Sequence, residues 1–369
     1  MGKLRALTAM AAVIASVGAF AASAEAVPAN FWGVVPQSTL SEEQFQRLKR
    51  GGVDSVRTPI EWGAVQPVAG GPIQWAGVDA VVGRASSAGL EVLPFLTGAP
   101  SWAVPTNRRW GSPESLPVKT GAQRTAWTNF VSQAVLRYGP NGTFWSENPT
   151  IPKRPIRTWQ IWNEENFKYF VARPNPAEYG KLVKLSYATL KGVDSGAQLI
   201  LGGMFATPIE ATFHKRPPQA YFAKDFLDQM YRTTPGVKSK FSGIALHPYT
   251  GHYQDLTRKI EEVRTALKVN HDAGKGIWIT ELGWSSGPPR SDGSNSFAQG
   301  PQGQAKQLKG AFSLLQRMQA KWRIQRVYWF SVDDAKGACN FCDGSGLFGP
   351  GFTPKPSWRA YVKFAGGTP

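Results

Sequence analysis

The sequence predicts an α/β fold, a (β/α)8 TIM barrel in a single domain, on three observations. Short runs rich in β-branched and aromatic residues alternate with longer segments of helical periodicity, the alternation repeats eight times, and no Ser/Gly/Pro-rich linker divides it. An open doubly wound sheet shares the alternation. It would carry a G-x-G-x-x-G after its first strand or a P-loop, and neither is present.

Taken in order, the first strand runs from Phe31 to Val35. The helix after it opens at Ser41-Glu-Glu-Gln44, a capping box in which side chains satisfy the free amides of the first turn, and closes at Gly51-Gly52. Strand two, Ser55 to Pro59, leads to a helix ending at Gly89, and strand three, Glu91 to Leu96, to helical periodicity over about Gly121 to Arg137. Strand four, Arg157 to Trp162, precedes a helix over Pro176 to Val193; strand five, Gln198 to Gly203, precedes one over Ala220 to Tyr231. Strands six to eight, Gly243 to His247, Gly276 to Glu281 and Arg326 to Ser331, are followed by helices over Asp255 to His271, over Gly303 to Lys321, and after Pro356. Connections after strands are longer and richer in Trp, Gly and Pro than those before them, which places a site at the C-terminal mouth of the barrel.

Ahead of the barrel, Lys3 and Arg5, an apolar stretch from Ala6 to about Ala22, and Ala24-Glu-Ala26 have the layout of a secretory signal peptide over 1–26. Cleavage after Ala26 leaves the barrel domain over 27–369, an exported protein with no later segment able to span a membrane. The formal charge of +17 on 369 residues stays near +16 without the leader. Its lysines and arginines are scattered, so the surface reads as solvated and cationic rather than as a nucleic-acid stripe; attraction to an anionic polymer remains open. Cys339 and Cys342 form a C-x-x-C in a Gly-rich stretch, which in an exported chain reads as a loop-clamping disulfide rather than a redox motif or a zinc site lacking two ligands. His214, His252 and His271 show no metal-ligand spacing with carboxylates, so neither a metal nor another cofactor is implied. The chain is expected to act as a monomer.

The chemistry concentrates at two strand ends. Thr158-Trp-Gln-Ile-Trp-Asn-Glu-Glu-Asn166 places Glu164 where strand four leaves the barrel, and Ile277-Trp-Ile-Thr-Glu-Leu-Gly-Trp284 places Glu281 at the end of strand seven. Two glutamates on one rim supply what hydrolysis of a glycosidic bond needs, one to protonate the leaving oxygen and one to attack the anomeric carbon.

Trp162-Asn163-Glu164 and Thr280-Glu281-x-Gly283-Trp284 resemble the strand-four and strand-seven motifs of glycoside hydrolase clan A, the retaining TIM-barrel glycosidases, with families 5 and 39 nearest. The resemblance covers most of the chain after the leader. It implies Glu164 as general acid/base, Glu281 as nucleophile, and Asn163 on the sugar 2-hydroxyl. It also assigns Arg57 as a support for the nucleophile, His247 and Tyr249 as its neighbours, and Trp329 as an aromatic floor. One departure matters: many clan members have proline after the acid/base, whereas this chain has Glu165, a rival for the role. Alternating side-chain directions at a strand end would keep Glu164 and Glu165 apart, and the neighbouring charge would raise the pKa of Glu164.

Around this pair Trp62, Trp102, Trp284 and Trp329 are expected to offer indole faces to a sugar. Asp333 and Asp334 either bond hydroxyls or cap a loop, and His247 reads equally as structural. The loop from Ala99 to Lys119, with Arg108, Arg109 and Trp110, either walls the groove for exo cleavage or forms a positive subsite for an anionic sugar. β-Glucans, xylans, mannans and α-L-arabinofuranosides all remain open as substrates. Transfer to another sugar and a non-catalytic cell-wall role are the alternatives.

Overall fold

The computed structural model describes residues 27–207, 218–289, 296–335 and 342–369. The leader, His214 and Cys339 fall outside these. Eight strands close into a ring: β1 (Trp32–Val35), β2 (Ser55–Glu61), β3 (Glu91–Thr97), β4 (Thr158–Ile161), β5 (Gln198–Phe205), β6 (Gly243–His247), β7 (Gly276–Leu282) and β8 (Ile324–Phe330). Each pairs in parallel with its successor, and β8 returns to β1, so the sheet has no edge and the open doubly wound alternative is excluded. The predicted strands all form, each end within two residues of expectation.

The helices that follow the strands are α1 (Glu42–Arg50), α2 (Ala76–Ser87), α3 (Gly121–Tyr138), α4 (Pro176–Val193), α5 (Ala223–Thr233), α6 (Leu256–Val269), α7 (Gly300–Arg317) and α8 (Pro356–Ala365). Their starts are written in local chemistry. Ser41 Oγ accepts from the Gln44 amide at 3.2 Å while the Gln44 side chain accepts from the Ser41 amide at 2.7 Å, and Thr120 and Gln123 repeat the box ahead of α3. Asn175 caps α4, with Pro176 in the first position, where the missing amide hydrogen costs nothing.

Strand alternation splits the core into two layers. Val56, Trp159, Ile161, Leu199, Ile277, Ile279, Val327 and Trp329 face outward and pack with the helices, whereas Val35, Leu93, Ile200, Ala245, Trp278, Tyr328 and Phe330 fill the barrel interior. Three register shifts interrupt the alternation, two between β7 and β8 and one between β5 and β6. On β7, Ile279 and Leu282 stand opposite Val327 and Trp329, three steps against two; on β5, Ile200 and Gly203 stand opposite Gly243 and Ala245. A bulge of this kind re-aims the side chains beside it.

Burial corrects three of the aromatic expectations. Trp62, Trp284 and Trp329 are fully buried. Trp62 stacks on Phe130 with ring centroids 5.5 Å apart, and Trp329 faces Trp284 and Phe312 outside the barrel, so none of the three can offer a face to a sugar. At the end of β8 the inward ring is Phe330, one residue on, which meets Tyr249 edge-on. Trp102 keeps part of its surface, its indole N–H donating to the Gln66 carbonyl at 3.0 Å.

Among the described residues no helix is long and apolar enough to cross a membrane. Cys342 is buried at a short turn after β8, and its expected partner Cys339 lies outside the described residues. Asp334 is drawn into the scaffold, accepting from Lys355 Nζ at 2.6 Å, a contact that ties the loop after β8 to the approach to α8.

Candidate active site

At the C-terminal mouth, Arg57 from β2 is fully buried and binds three neighbours at once. Its Nη1 donates to Glu281 Oε1 at 2.6 Å, its Nε to Gln160 Oε1 at 2.9 Å, and its Nη2 to Asn163 Oδ1 at 2.5 Å. The guanidinium plane also lies 4.0 Å from the Phe95 ring centroid. A planar fork of donors held by three acceptors and a π face has little freedom to turn, so it fixes Glu281 in one rotamer. Tyr249 donates to the other oxygen, Glu281 Oε2, at 2.8 Å.

Glu164 is reached differently. β4 ends at Ile161, and the chain then turns through left-handed conformations at Trp162 (φ 73°) and Glu164 (φ 41°). Positive φ in a non-glycine residue is a strained choice of order 1–3 kcal/mol, retained where the surroundings over-determine it. Here the turn delivers Asn163 to Arg57 and sets Glu164 Oε1 2.9 Å from His247 Nδ1.

His247 sits between the two carboxylates. Its Nδ1 is 2.9 Å from Glu164 Oε1 and 3.5 Å from Glu281 Oε2, and its Nε2 is 3.0 Å from Thr280 Oγ1. Burial, then the Arg57 charge, holds the imidazole well below its usual pKa, so it is neutral. A neutral ring has one N–H. Either Nδ1–H donates to an ionised Glu164 while Nε2 accepts from Thr280, or a protonated Glu164 donates to Nδ1 while Nε2–H donates to Thr280. Both arrangements hold a proton next to Glu164. The glycine at position 203 makes this possible, since a Cβ there would lie 2.0 Å from His247 Nε2.

Glu164 and Glu281 differ in environment. Burial first, then the Glu281 charge, raises the Glu164 pKa well above the ordinary carboxylate range, with Arg57 opposing. Glu281 instead has a cation and a phenol directly on its oxygens. One oxygen from each glutamate lies within 4.8 Å of the other.

Glu165 takes no part in this cluster. The left-handed turn, rather than strand alternation, sends it into the barrel wall, where it is fully buried and neither oxygen makes a hydrogen bond. A Cβ at Gly202 would come 1.9 Å from its Oε2, so the glycine opens the niche. Burial pushes this carboxyl up to about 8, with its own backbone amide and then the nearby Tyr179 hydroxyl opposing. It is mostly neutral at pH 7, and it makes the smallest contribution to the raised pKa of Glu164.

Glu164, His247 and Glu281 together have the donor types of a metal site. Yet Arg57, Tyr249 and His247 already bond both oxygens of Glu281 and one of Glu164, and a guanidinium 2.6 Å from Glu281 opposes a second cation. The set is built to hold protons. Gln160, Thr280 and Phe330 belong to the site and were not singled out in the sequence; inward alternation along β4 from Thr158 would have pointed to Gln160.

Residues 161–354 match the family model described as glycosyl hydrolase catalytic core. No curated protein sequence matches the chain. Among solved structures it is similar to a family 39 glycoside hydrolase from Bacteroides cellulosilyticus WH2, at TM-score 0.59 and 20% identity over 90% of this chain and 63% of that one. It is also similar to a monomeric β-xylosidase from Caulobacter crescentus CB15 (TM-score 0.59, 17% identity, 91% and 68% covered) and an intracellular xylanase from Thermoanaerobacterium saccharolyticum (0.57, 16%, 90% and 94%). At these identities the likeness is one of fold, and the chain spans less than two thirds of the first neighbour.

Proposed function

We propose that the chain, which belongs to the glycosyl hydrolase catalytic-core family, cleaves O-glycosidic bonds with retention, Glu281 acting as nucleophile and Glu164 as acid/base. The observation that carries this reading is the approach of the two carboxylates to within 4.8 Å, one oxygen from each. Retaining enzymes hold the pair about 5–5.5 Å apart, whereas inverting enzymes leave room for a water between them.

In the first step Glu281 attacks the anomeric carbon while Glu164 gives its proton to the departing oxygen, forming a glycosyl ester and a free alcohol. In the second, Glu164 takes a proton from water, the water oxygen bonds to the anomeric carbon, and Glu281 leaves as carboxylate. The raised pKa of Glu164 suits an acid that must arrive protonated, and the hydrogen bonds from Arg57 and Tyr249 suit a nucleophile that must be held in one orientation. With its carbonyl bound to Arg57, Asn163 has amide hydrogens to offer a sugar 2-hydroxyl, and Trp102 is the partly open indole left to meet a ring.

Export by the 1–26 leader, a Cys339–Cys342 clamp and action as a monomer complete the proposal, with β-xylosides first in the panel because two of the neighbours act on xylose-containing substrates. The test is a 2-deoxy-2-fluoroglycoside with a good leaving group. Mass spectrometry should find a stoichiometric adduct on Glu281, and Glu281→Gln should lose roughly 10^4-fold or more in kcat while keeping its thermal transition. An inverted product, or a Glu281→Gln variant with most of its turnover, defeats the assignment.

A further inference from the structure

A ladder of aromatic rings leads away from the catalytic pair. Tyr249, bonded to Glu281, stacks on Phe205 at 5.9 Å; Phe205 meets Phe167 at 5.7 Å, Phe167 meets Tyr169 at 4.9 Å, and Tyr169 meets Trp110 edge-on at 5.6 Å. Tyr249 and Phe167 are buried, Phe205 and Trp110 are half-buried, and Tyr169 is exposed. Tyr169 is 51% exposed and, with Val68, Leu136 and Val269, is among the large hydrophobic side chains left exposed among the described residues.

Positive charge is fixed at this outer end. Arg109 Cζ lies 4.6 Å from the Trp110 ring centroid, and Lys168 Nζ lies 4.0 Å from the same ring and 5.3 Å from Tyr169. Arg108 is exposed beside them. The supporting turn is rigid. Asn107 Oδ1 accepts from the amides of Arg109 and Trp110, each at 3.0 Å, and the Asn107 amide donates to the Ser112 carbonyl at 2.8 Å. Ser112 Oγ in turn donates to the Lys168 carbonyl at 2.6 Å, joining the loop after β3 to the loop after β4. The acid on this turn, Glu114, accepts from Asn107 and pairs with Arg173.

We infer that the Trp110–Tyr169 platform with Arg109 is a subsite, remote from the cleaved bond, for a sugar carrying a carboxylate, so that the substrate is a uronate-containing glycan. This rests on the glycosidase reading above and adds the substrate class to it. The half-exposed Tyr169 ring meets the apolar side of a pyranose, and the Arg109 guanidinium stacked over Trp110 matches a carboxylate through two parallel hydrogen bonds. Charges placed by rings and a pinned turn hold a ligand better than the same charges on free side chains, because less side-chain entropy is lost on binding.

The test is calorimetric titration of the full chain carrying Glu281→Gln, which keeps the glycan intact. Oligogalacturonate, oligoalginate and glucuronate-substituted xylo-oligosaccharides are each compared with their carboxyl-reduced forms. At least one acidic member should bind about tenfold more tightly than its reduced form, as two partly exposed charge contacts supply. The gap should shrink as ionic strength rises past about 0.1 M and close in Arg109→Ala, an exposed position, and in Trp110→Ala. If no acidic form exceeds its reduced partner, or if the gap survives Arg109→Ala, the subsite is refuted. Such a result leaves the double displacement standing, whereas failure of the fluorosugar adduct to form leaves the binding preference untouched.

Discussion

Replacing Glu165 by Gln should stabilise the protein increasingly as pH rises. Glu165 is fully buried without a hydrogen bond, and its carboxyl titrates at about 8 rather than at the 4.5 of an exposed glutamate. Because the folded pKa is raised, the protonated form contributes stability that is complete below about pH 4.5 and is lost as pH climbs to 8. Each unit of difference is worth about 1.4 kcal/mol, so the wild type gives up about 3 kcal/mol by pH 7 and about 4 kcal/mol by pH 8. Gln is neutral throughout and loses none of this. Its extra N–H groups add an offset, but that offset does not depend on pH. For a chain of this length 4 kcal/mol is about 5 °C in Tm. Thermal unfolding of both proteins at pH 5 and pH 8 should therefore show the Glu165→Gln advantage growing by about that much. A difference in Tm that is the same at both pH values would refute a neutral, buried Glu165, and with it the separation of its role from that of Glu164.

Three further outcomes follow from the same geometry. Glu164→Gln should cut kcat by roughly 10^2- to 10^4-fold on poor leaving groups and much less on activated aryl glycosides. It should also erase the alkaline limb of the pH profile, since the acid form of Glu164 is present below its raised pKa and lost as pH rises through it. Gly203→Ala puts a methyl 2.0 Å from His247 Nε2, so kcat should fall about 10^2-fold through displacement of the ring, with circular dichroism unchanged. Trp329→Ala should cost about 3–5 kcal/mol of stability and leave KM alone, whereas Phe330→Ala should raise KM, because Trp329 packs under the helices and Phe330 faces Tyr249.

The barrel was legible because its signals are local. A capping box at Ser41, an Asn-Pro start at Asn175, and β-rich runs ending at Val35, His247 and Glu281 each fix an element without knowledge of the rest. Glu164 and Glu281 were legible for a related reason, since both follow strand-forming runs that end at one mouth, whereas Arg57 came from the family resemblance. The tryptophans misled because position on a loop or strand end does not report direction. Trp329 and Phe330 are adjacent, equally aromatic and on opposite faces, and a shift of one residue exchanges core for cleft.

What the sequence hid most completely is how Glu164 and Glu165 part. Strand alternation predicts the separation but for the wrong cause, because β4 has ended at Ile161 and the divergence is made by left-handed backbone at Trp162 and Glu164. The turn alone would strand a carboxyl against the neighbouring strand. It is tolerated because β5 carries Gly202 and Gly203 in succession at a bulge, the first leaving room for Glu165 and the second for His247. The placement of Glu164 thus depends on two glycines about forty residues downstream. Their spacing matches no helical or strand pattern, so only the folded structure connects them to the chemistry. The neutral Glu165 and the proton shared by Glu164 and His247 are consequences of one backbone irregularity, and substitutions on β5 should perturb both together.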